Sequence, residues 1–196
     1  MPMWNAGEAA IKLAREGRAR LNDSQQRARK PDPSDTGASD IFLHVQTKRA
    51  GKVKGEGATA GHVDDIEVVS WNWGASAGSS AGSLAPTARR SYRQLVVAKR
   101  IDAASTALLS ALATNDEVKE ATLTMRRAGG EALDYFRMTL KGARVTAVDV
   151  EVGADGFPLE MVAFNFTEIE IEYQKQQASG GSGGACTFND VLLPAG

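Results

Sequence analysis

Residues Ile66–Gly74 read "IEVVSWNWG", and the placement of this stretch settles what kind of protein the chain forms. Two residues is the side-chain period of a β-strand, so Trp71 and Trp73 project from one face. That face has three readings: part of a core, a platform on which bases or sugars stack, or a surface that meets another subunit. The apolar phase also changes within the stretch, from Ile66 and Val68 to Val69, Trp71 and Trp73. A slip of one residue carries the apolar set across the sheet. The strand therefore either contains a bulge that bends it around a barrel corner, or has both faces covered for part of its length.

Strand patterns extend on both sides. Upstream, Ile41, Leu43 and Val45 alternate with Phe42, His44 and Gln46, and a glycine-punctuated turn, "KVKGEGATAG", leads into the tryptophan strand. Downstream, residues 74–87, "GASAGSSAGSLAPT", supply little to bury and read as a long flexible loop. "RQLVVAKRI" (93–101) is a strand, and "DAASTALLSALA" (102–113) is a short side helix. In that helix Ser105, Leu108, Leu109 and Leu112 share a face, with Asp102 as N-cap. "VKEATLTMRR" and "EALDYFRMTL" form two strands around the turn "AGG", and "RVTAVDVEV" is a third, after Lys141-Gly142. "EMVAFNFTEIEIEYQK" is the longest strand, and it changes phase between Phe166 and Ile169. A Gly/Ser-rich linker over 174–184 precedes a last strand, "CTFNDVLL". Many strands, antiparallel hairpins and one short helix give a mainly β fold, a small antiparallel barrel or sandwich over residues 40–196.

The 196 residues carry a net charge of −1, so bulk composition calls for neither nucleic acid nor a membrane surface. A single cysteine, Cys186, forbids an internal disulfide and suits a reducing compartment. No apolar run approaches the ~20 residues of a membrane span, and residues 4–30 lack the apolar region of a signal peptide. Residues 1–39 are set apart as a basic, marginally helical N-terminal extension, in which Ile11, Leu13 and Leu21 make a poor apolar stripe. The breaker "KPDPSDTGASD" ends it.

The candidates for chemistry fail on context. "GASAG" (74–78) matches a nucleophile elbow, but a Gly/Ser run follows where a helix is needed, and both histidines precede the serine. "GEGATAG" (55–61), with Lys52 and Lys54 nearby, lacks the helix that a phosphate loop relies on. His44, His62, Asp64, Asp65 and Cys186 have no metal-ligand spacing, and His62 beside two aspartates reads as a solvated turn. Glu168, Glu170 and Glu172 read as the wet side of a sheet. The residues around Trp71 and Trp73 are acidic or neutral, which disfavours base stacking, although Lys99, Arg100, Arg126 and Arg127 form basic pairs. No catalytic, cofactor-binding or metal residue is assigned, and the chain is not read as an enzyme.

In order, "DIFLHVQ", "KGEG", "IEVVSWNWG", the Gly/Ser loop, "VVAKRIDAASTALLSALATN", "ATLTMRRAGGEALDYFRMTL", "FNFTEIEIEYQ" and "TFND" resemble the haemolysin-coregulated protein (Hcp) family. This family forms the inner tube of type VI secretion systems, and the likeness covers about residues 40–190. It implies a compact β-barrel with a side helix, hexameric rings stacked into a tube, and partners in a spike, a contractile sheath and small effectors carried in the lumen. It also implies assembly in the bacterial cytoplasm and secretion without a signal peptide. The family's extended loop, used between rings, corresponds to about 75–90, with Ala75, Ser76, Ser79, Ser80, Leu84, Arg89 and Arg90 as candidate ring-ring or subunit contacts. Trp71 and Trp73 then belong to a core or interface. The extension over 1–39 has no family counterpart and is read as lying on the tube surface or reaching a neighbouring subunit. Two alternatives stand beside this reading: the tube protein of a phage tail or other contractile machine, and a monomeric sugar- or peptide-binding module.

Overall fold

The computed structural model describes residues 39–78, 89–127, 133–152, 156–176 and 182–192. The N-terminal extension lies outside them. The elements, in chain order, are β1 (Ser39–Thr47), β2 (Lys52–Val53), β3 (Ile66–Asn72), β4 (Ala75–Gly78), β5 (Arg89–Tyr92), β6 (Leu95–Arg100) and α1 (Ala104–Ala113). They continue with β7 (Val118–Arg127), β8 (Asp134–Val152), β9 (Pro158–Asn165), β10 (Glu168–Gln176) and β11 (Ser182–Val191).

All strand pairs are antiparallel, and β8 closes the barrel. Its first half pairs with β7, and the sheet then runs through β1, β3, β6 and β9 back to the second half of β8. Two strands were expected here, meeting at Lys141-Gly142; the chain instead runs on as one strand of 19 residues. The change of sheet falls at Gly142, whose φ is +54°, a conformation that costs a side-chain-bearing residue energy. A Cβ there would also lie 2.3 Å from Thr167 Oγ1. Thr167 in turn donates its N–H to the Lys141 carbonyl at 3.1 Å, which ties the β9–β10 turn to the bend.

The long strand expected over 160–175 is two, β9 and β10, separated at Phe166-Thr167. Its phase change is therefore a change of strand, not a bulge. The slip in the tryptophan strand is a bulge: the β3–β6 register jumps between Val68 and Ser70, leaving Val69 unpaired and exposed. Strand β10 pairs with β8 on one side and β11 on the other, so β10 and β11 form a flap continuing the first sheet beyond the barrel. The predicted linker over 174–184 is shorter than expected, because β10 runs to Gln176 and β11 begins at Ser182.

Inside the barrel Leu43, Val45, Ile66, Leu95, Val97, Leu123, Leu140, Val162 and Phe164 are buried. Helix α1 contributes Ala104, Leu108 and Ala111, whereas Leu109 is exposed. The expected stripe was right at Leu108 and wrong at Leu109, because small alanines let the helix approach closely along another line. Asp102 caps the helix from one position earlier than the N-cap, accepting the Ala104 N–H at 2.9 Å.

Lys99, noted from the sequence as half of a basic pair with Arg100, is fully buried. Its Nζ donates to Glu160 Oε2 at 2.6 Å, Ser105 Oγ at 2.9 Å and the Arg100 carbonyl at 2.9 Å, and lies 2.7 Å from Asp102 Oδ1. Ser105 also donates to Glu160. This network joins β6, β9 and the start of α1. Removing one member leaves a buried charge uncompensated, so Lys99→Met should lose about 3–5 kcal/mol in urea unfolding. Lys99→Met combined with Glu160→Leu should recover part of that loss, because the two most deeply buried charges go together and the remaining Asp102 carboxylate still accepts the Ala104 N–H.

Candidate functional site

Strand alternation and register give the two outer faces of the barrel different residue sets. On the first sheet, Glu120 stands opposite Lys141, Thr122 opposite Thr139 and Thr124 opposite Arg137. On the far side of β8, Lys141, Thr139 and Arg137 face Glu168, Glu170 and Glu172. The flap continues the outer face with Thr187, Asn189 and Val191. Lys141 and Arg137 lie 4.0 and 3.8 Å from Glu170 and Glu172, and Thr122 and Thr139 hydroxyls are 3.3 Å apart. The three glutamates are the polar side of a sheet, and Glu170 and Glu172 line a shared concave surface with His44, Thr122, Thr139 and Lys141.

One edge of this face holds a buried polar cluster. His62 is buried, not a solvated turn residue, and stacks on Phe42 with ring centroids 4.1 Å apart. Its Nδ1 lies 3.1 Å from Asp65 Oδ2, and its Nε2 3.3 Å from Asp134 Oδ1. Asp65 also meets His44 Nδ1 at 3.0 Å and Lys52 Nζ at 3.0 Å, and Asp134 accepts from Arg126 Nε at 2.6 Å. Burial pushes the Asp65 carboxyl up, but bonds from His44, Lys52 and His62 outweigh it and hold it below the usual range. Asp134 behaves alike: burial raises it, and bonds from Arg126 and His62 bring it lower. The preceding loop can fold this tightly because Gly55 and Gly57 press on the chain; a Cβ would fall 2.5 and 2.7 Å from the Asp65 carbonyl oxygen.

On the second sheet, Val96, Ala98, Leu159, Met161, Ala163 and Ala147 face outward beside the bulged Val69, and Ser70, Asn72, Arg100, Asp149 and Glu151 share that face around them. A second apolar group lies on the flap. Tyr173 and Phe188 occupy the side of β10 and β11 that is continuous with the barrel interior, yet they are 47% and 46% exposed because the flap reaches past the core. Cys186, opposite Tyr173, is exposed too.

Trp71 and Trp73 pack against the core while remaining partly exposed, Trp71 stacked on Phe136 and Trp73 on Tyr92. Trp73 Nε1 is buried without a hydrogen-bond partner. The loop over 75–90 is not loop throughout. Its base is a ribbon in which Ala75 and Ser76 on β4 face Tyr92 and Ser91 on β5, and Arg89 lies opposite Gly78. Ser79, Ser80 and Leu84 fall outside the described residues. The Arg90 guanidinium reaches Asp190, and the Tyr92 hydroxyl donates to the same carboxylate. Sequence reading overlooked Tyr92 and Asp190, which meet across 98 residues, and Asp134, which His62 reaches across 72. Among the described residues no His, Cys, Asp or Glu cluster has metal-binding geometry.

Comparison with known proteins gives one consistent result. The family model for the type VI secretion system effector Hcp matches residues 42–173. Protein hcp1 of Pseudomonas aeruginosa is 32% identical over 151 residues, which cover 75% of this chain and 90% of that protein. The crystal structure of Hcp1 from Salmonella typhimurium is similar with a TM-score of 0.61 and 26% identity, covering 79% of this chain and 96% of that one. Hcp1 from E. coli EAEC 042 is similar in fold, with a TM-score of 0.65 at 19% identity over 79% of this chain and 99% of that one.

The cluster makes stability depend on acid. Carboxylates held below their unfolded values stabilise the fold fully above the ordinary range, near pH 4, and stop doing so as pH falls through their folded values. The variant Asp65→Asn/Asp134→Asn should therefore be less stable than the parent at pH 7 by about 1–3 kcal/mol. In urea titrations that gap should narrow steadily below pH 4.

Proposed function

The chain belongs to the Hcp family of type VI secretion proteins, and from that membership we propose that it closes into rings through two unlike faces, one on each side of the subunit. It is a tube protein of the type VI secretion apparatus, a secreted component. A phage-tail or free-standing binding role is not favoured.

The observation that carries the ring proposal is the flap. Tyr173 and Phe188 sit on a core-facing side with no core of their own beneath them. The outer face of the second sheet carries an apolar group, Val96, Met161 and Ala163 beside the exposed Val69, rimmed by Ser70, Asn72, Asp149 and Glu151. Placing one subunit's flap on the next subunit's second sheet covers both. The contact is heterologous, and a head-to-tail contact that closes makes a ring. It also shields the free edge of β11, which would otherwise invite uncontrolled strand pairing.

Six copies then carry the polar outer face of the first sheet around the lumen. Threonine, glutamate, lysine and arginine side chains keep that surface wet, so a passing effector finds no apolar patch to stick to. The ribbon and the residues it leads to, including Ser79, Ser80 and Leu84, are assigned to contact between rings. The spike, the sheath, assembly in the bacterial cytoplasm and export without a signal peptide rest on the family resemblance. An assembly role for residues 1–39, which have no family counterpart, rests on their basic, helix-forming composition.

Light scattering of the purified chain should give the mass of six subunits, with a six-fold ring in negative stain. Met161→Glu and Phe188→Glu place an unpaired carboxylate in each interface, at a cost of several kcal/mol per contact. Both variants should be monomers with the parent's β-sheet circular dichroism; rings of parental stability in both would reject the paired-face assignment.

A further inference from the structure

The ribbon β4–β5 belongs to neither sheet of the barrel. It has only four residue pairs, Ala75 to Gly78 against Tyr92 to Arg89, and an isolated two-stranded ribbon is marginal in water. Its first strand is Ala-Ser-Ala-Gly, so it brings almost nothing apolar to pack down. Something else has to set its direction.

We infer that Asp190, on the last strand, is the residue that fixes the direction of the ribbon and thereby governs whether one ring seats on the next. This inference rests on the tube reading above and adds a positioning residue to it. Asp190 Oδ1 accepts from Arg90 Nη2 at 2.7 Å, and Oδ2 accepts from Arg90 Nε and from the Tyr92 hydroxyl, the latter at 2.5 Å. Arg90 Nη2 also reaches the Val191 carbonyl at 3.4 Å. Arg90 and Tyr92 are two apart on β5 and so share a ribbon face, the one turned toward β11.

The geometry constrains rotation as well as distance. A single hydrogen bond acts as a hinge, whereas a two-pronged guanidinium–carboxylate pair holds a plane. Tyr92 adds a third bond and is itself held by rings on two sides, Trp73 at 5.9 Å and Phe166 at 6.3 Å between centroids. At the ribbon's foot, Arg93 N–H donates to the Gly74 carbonyl at 2.8 Å. The Asp190 side chain keeps 16% of its exposure, against 59% for Arg90, so the carboxylate is the sheltered anchor and the arginine the arm that reaches it. Bonds from Tyr92 and Arg90 hold the Asp190 carboxyl below its usual range, which keeps the anchor charged at neutral pH. The segment "TFND" thus gains a role for its aspartate.

The test compares the full-length parent with Asp190→Ala, with Arg90→Gln, and with the exchange Arg90→Asp/Asp190→Arg. Ring mass is read by light scattering, tube length by negative stain across a concentration series, and folding by thermal unfolding. Both single variants should form parental rings, yet stack into tubes about tenfold less readily, as expected for loss of charge-assisted bonds in every subunit. The exchange should recover stacking, which a merely structural defect would not do. Parental tube formation by Asp190→Ala and Arg90→Gln would overturn the inference while leaving the tube reading intact. So would loss of the rings themselves in Arg90→Gln, which would put the pair in ring closure instead. A parent chain that stays monomeric would overturn the tube reading and this inference together.

Discussion

The fold depends on one strand serving two sheets. Strand β8 is long enough to pair with β7 and β10 at its start and with β9 at its end. Its turn from one sheet to the other is made at Gly142, where a positive φ is needed and Thr167 leaves no room for a side chain. Closure through a shared strand removes the edges that an open sheet of this size would expose. It also leaves β8 with a free side at its start, which β10 takes. The flap is therefore a direct consequence of the closure, and with it comes the pair of exposed aromatic residues that the barrel cannot cover.

Two buried polar groups hold the ends of this arrangement. The Lys99 network locks the helix start to β6 and β9, and the His62 cluster locks the β2–β3 loop to the start of β8. Neither is a cheap way to gain stability, since desolvation offsets much of the attraction. Each does demand a single geometry: a buried ammonium with four oxygen neighbours, and an imidazole with a carboxylate at each nitrogen. Apolar packing alone would allow a small barrel of valines and leucines to slide in register, and a ring subunit has to present its faces in fixed positions.

In the proposed ring the two sheets have different surroundings, which accounts for their different outer faces. A face lined by Thr122, Thr139, Lys141 and Glu170 suits continuous contact with water. A face lined by Val96, Met161 and Ala163 suits contact with protein. The proposed self-assembly by unlike faces accounts for the exposed apolar residues on a chain of nearly neutral charge. The ribbon completes the set, since its direction comes from polar bonds to β11 and not from a core of its own.

Much of this was legible from the chain. The alternation in β1 and the run of antiparallel hairpins marked a barrel or sandwich, the phase slip at Val69 left a bulge as one of two readings, and the order of motifs from "SWNWG" to "FNFTEIEIEYQ" marked the family. Local periodicity and glycine placement suffice for that, because strand faces and bends are decided by neighbours two residues apart. Tertiary structure decided the rest. Whether Lys99 and His62 lie at the surface or in the interior depends on Glu160 and Asp134, which are 61 and 72 residues away. Nothing in a strand pattern announces that β8 runs on through Gly142, or that a short polar loop is held as a ribbon by an aspartate 100 residues along the chain. Those are properties of closure, and no local stretch of sequence carries the information about which distant partner fills the space beside it.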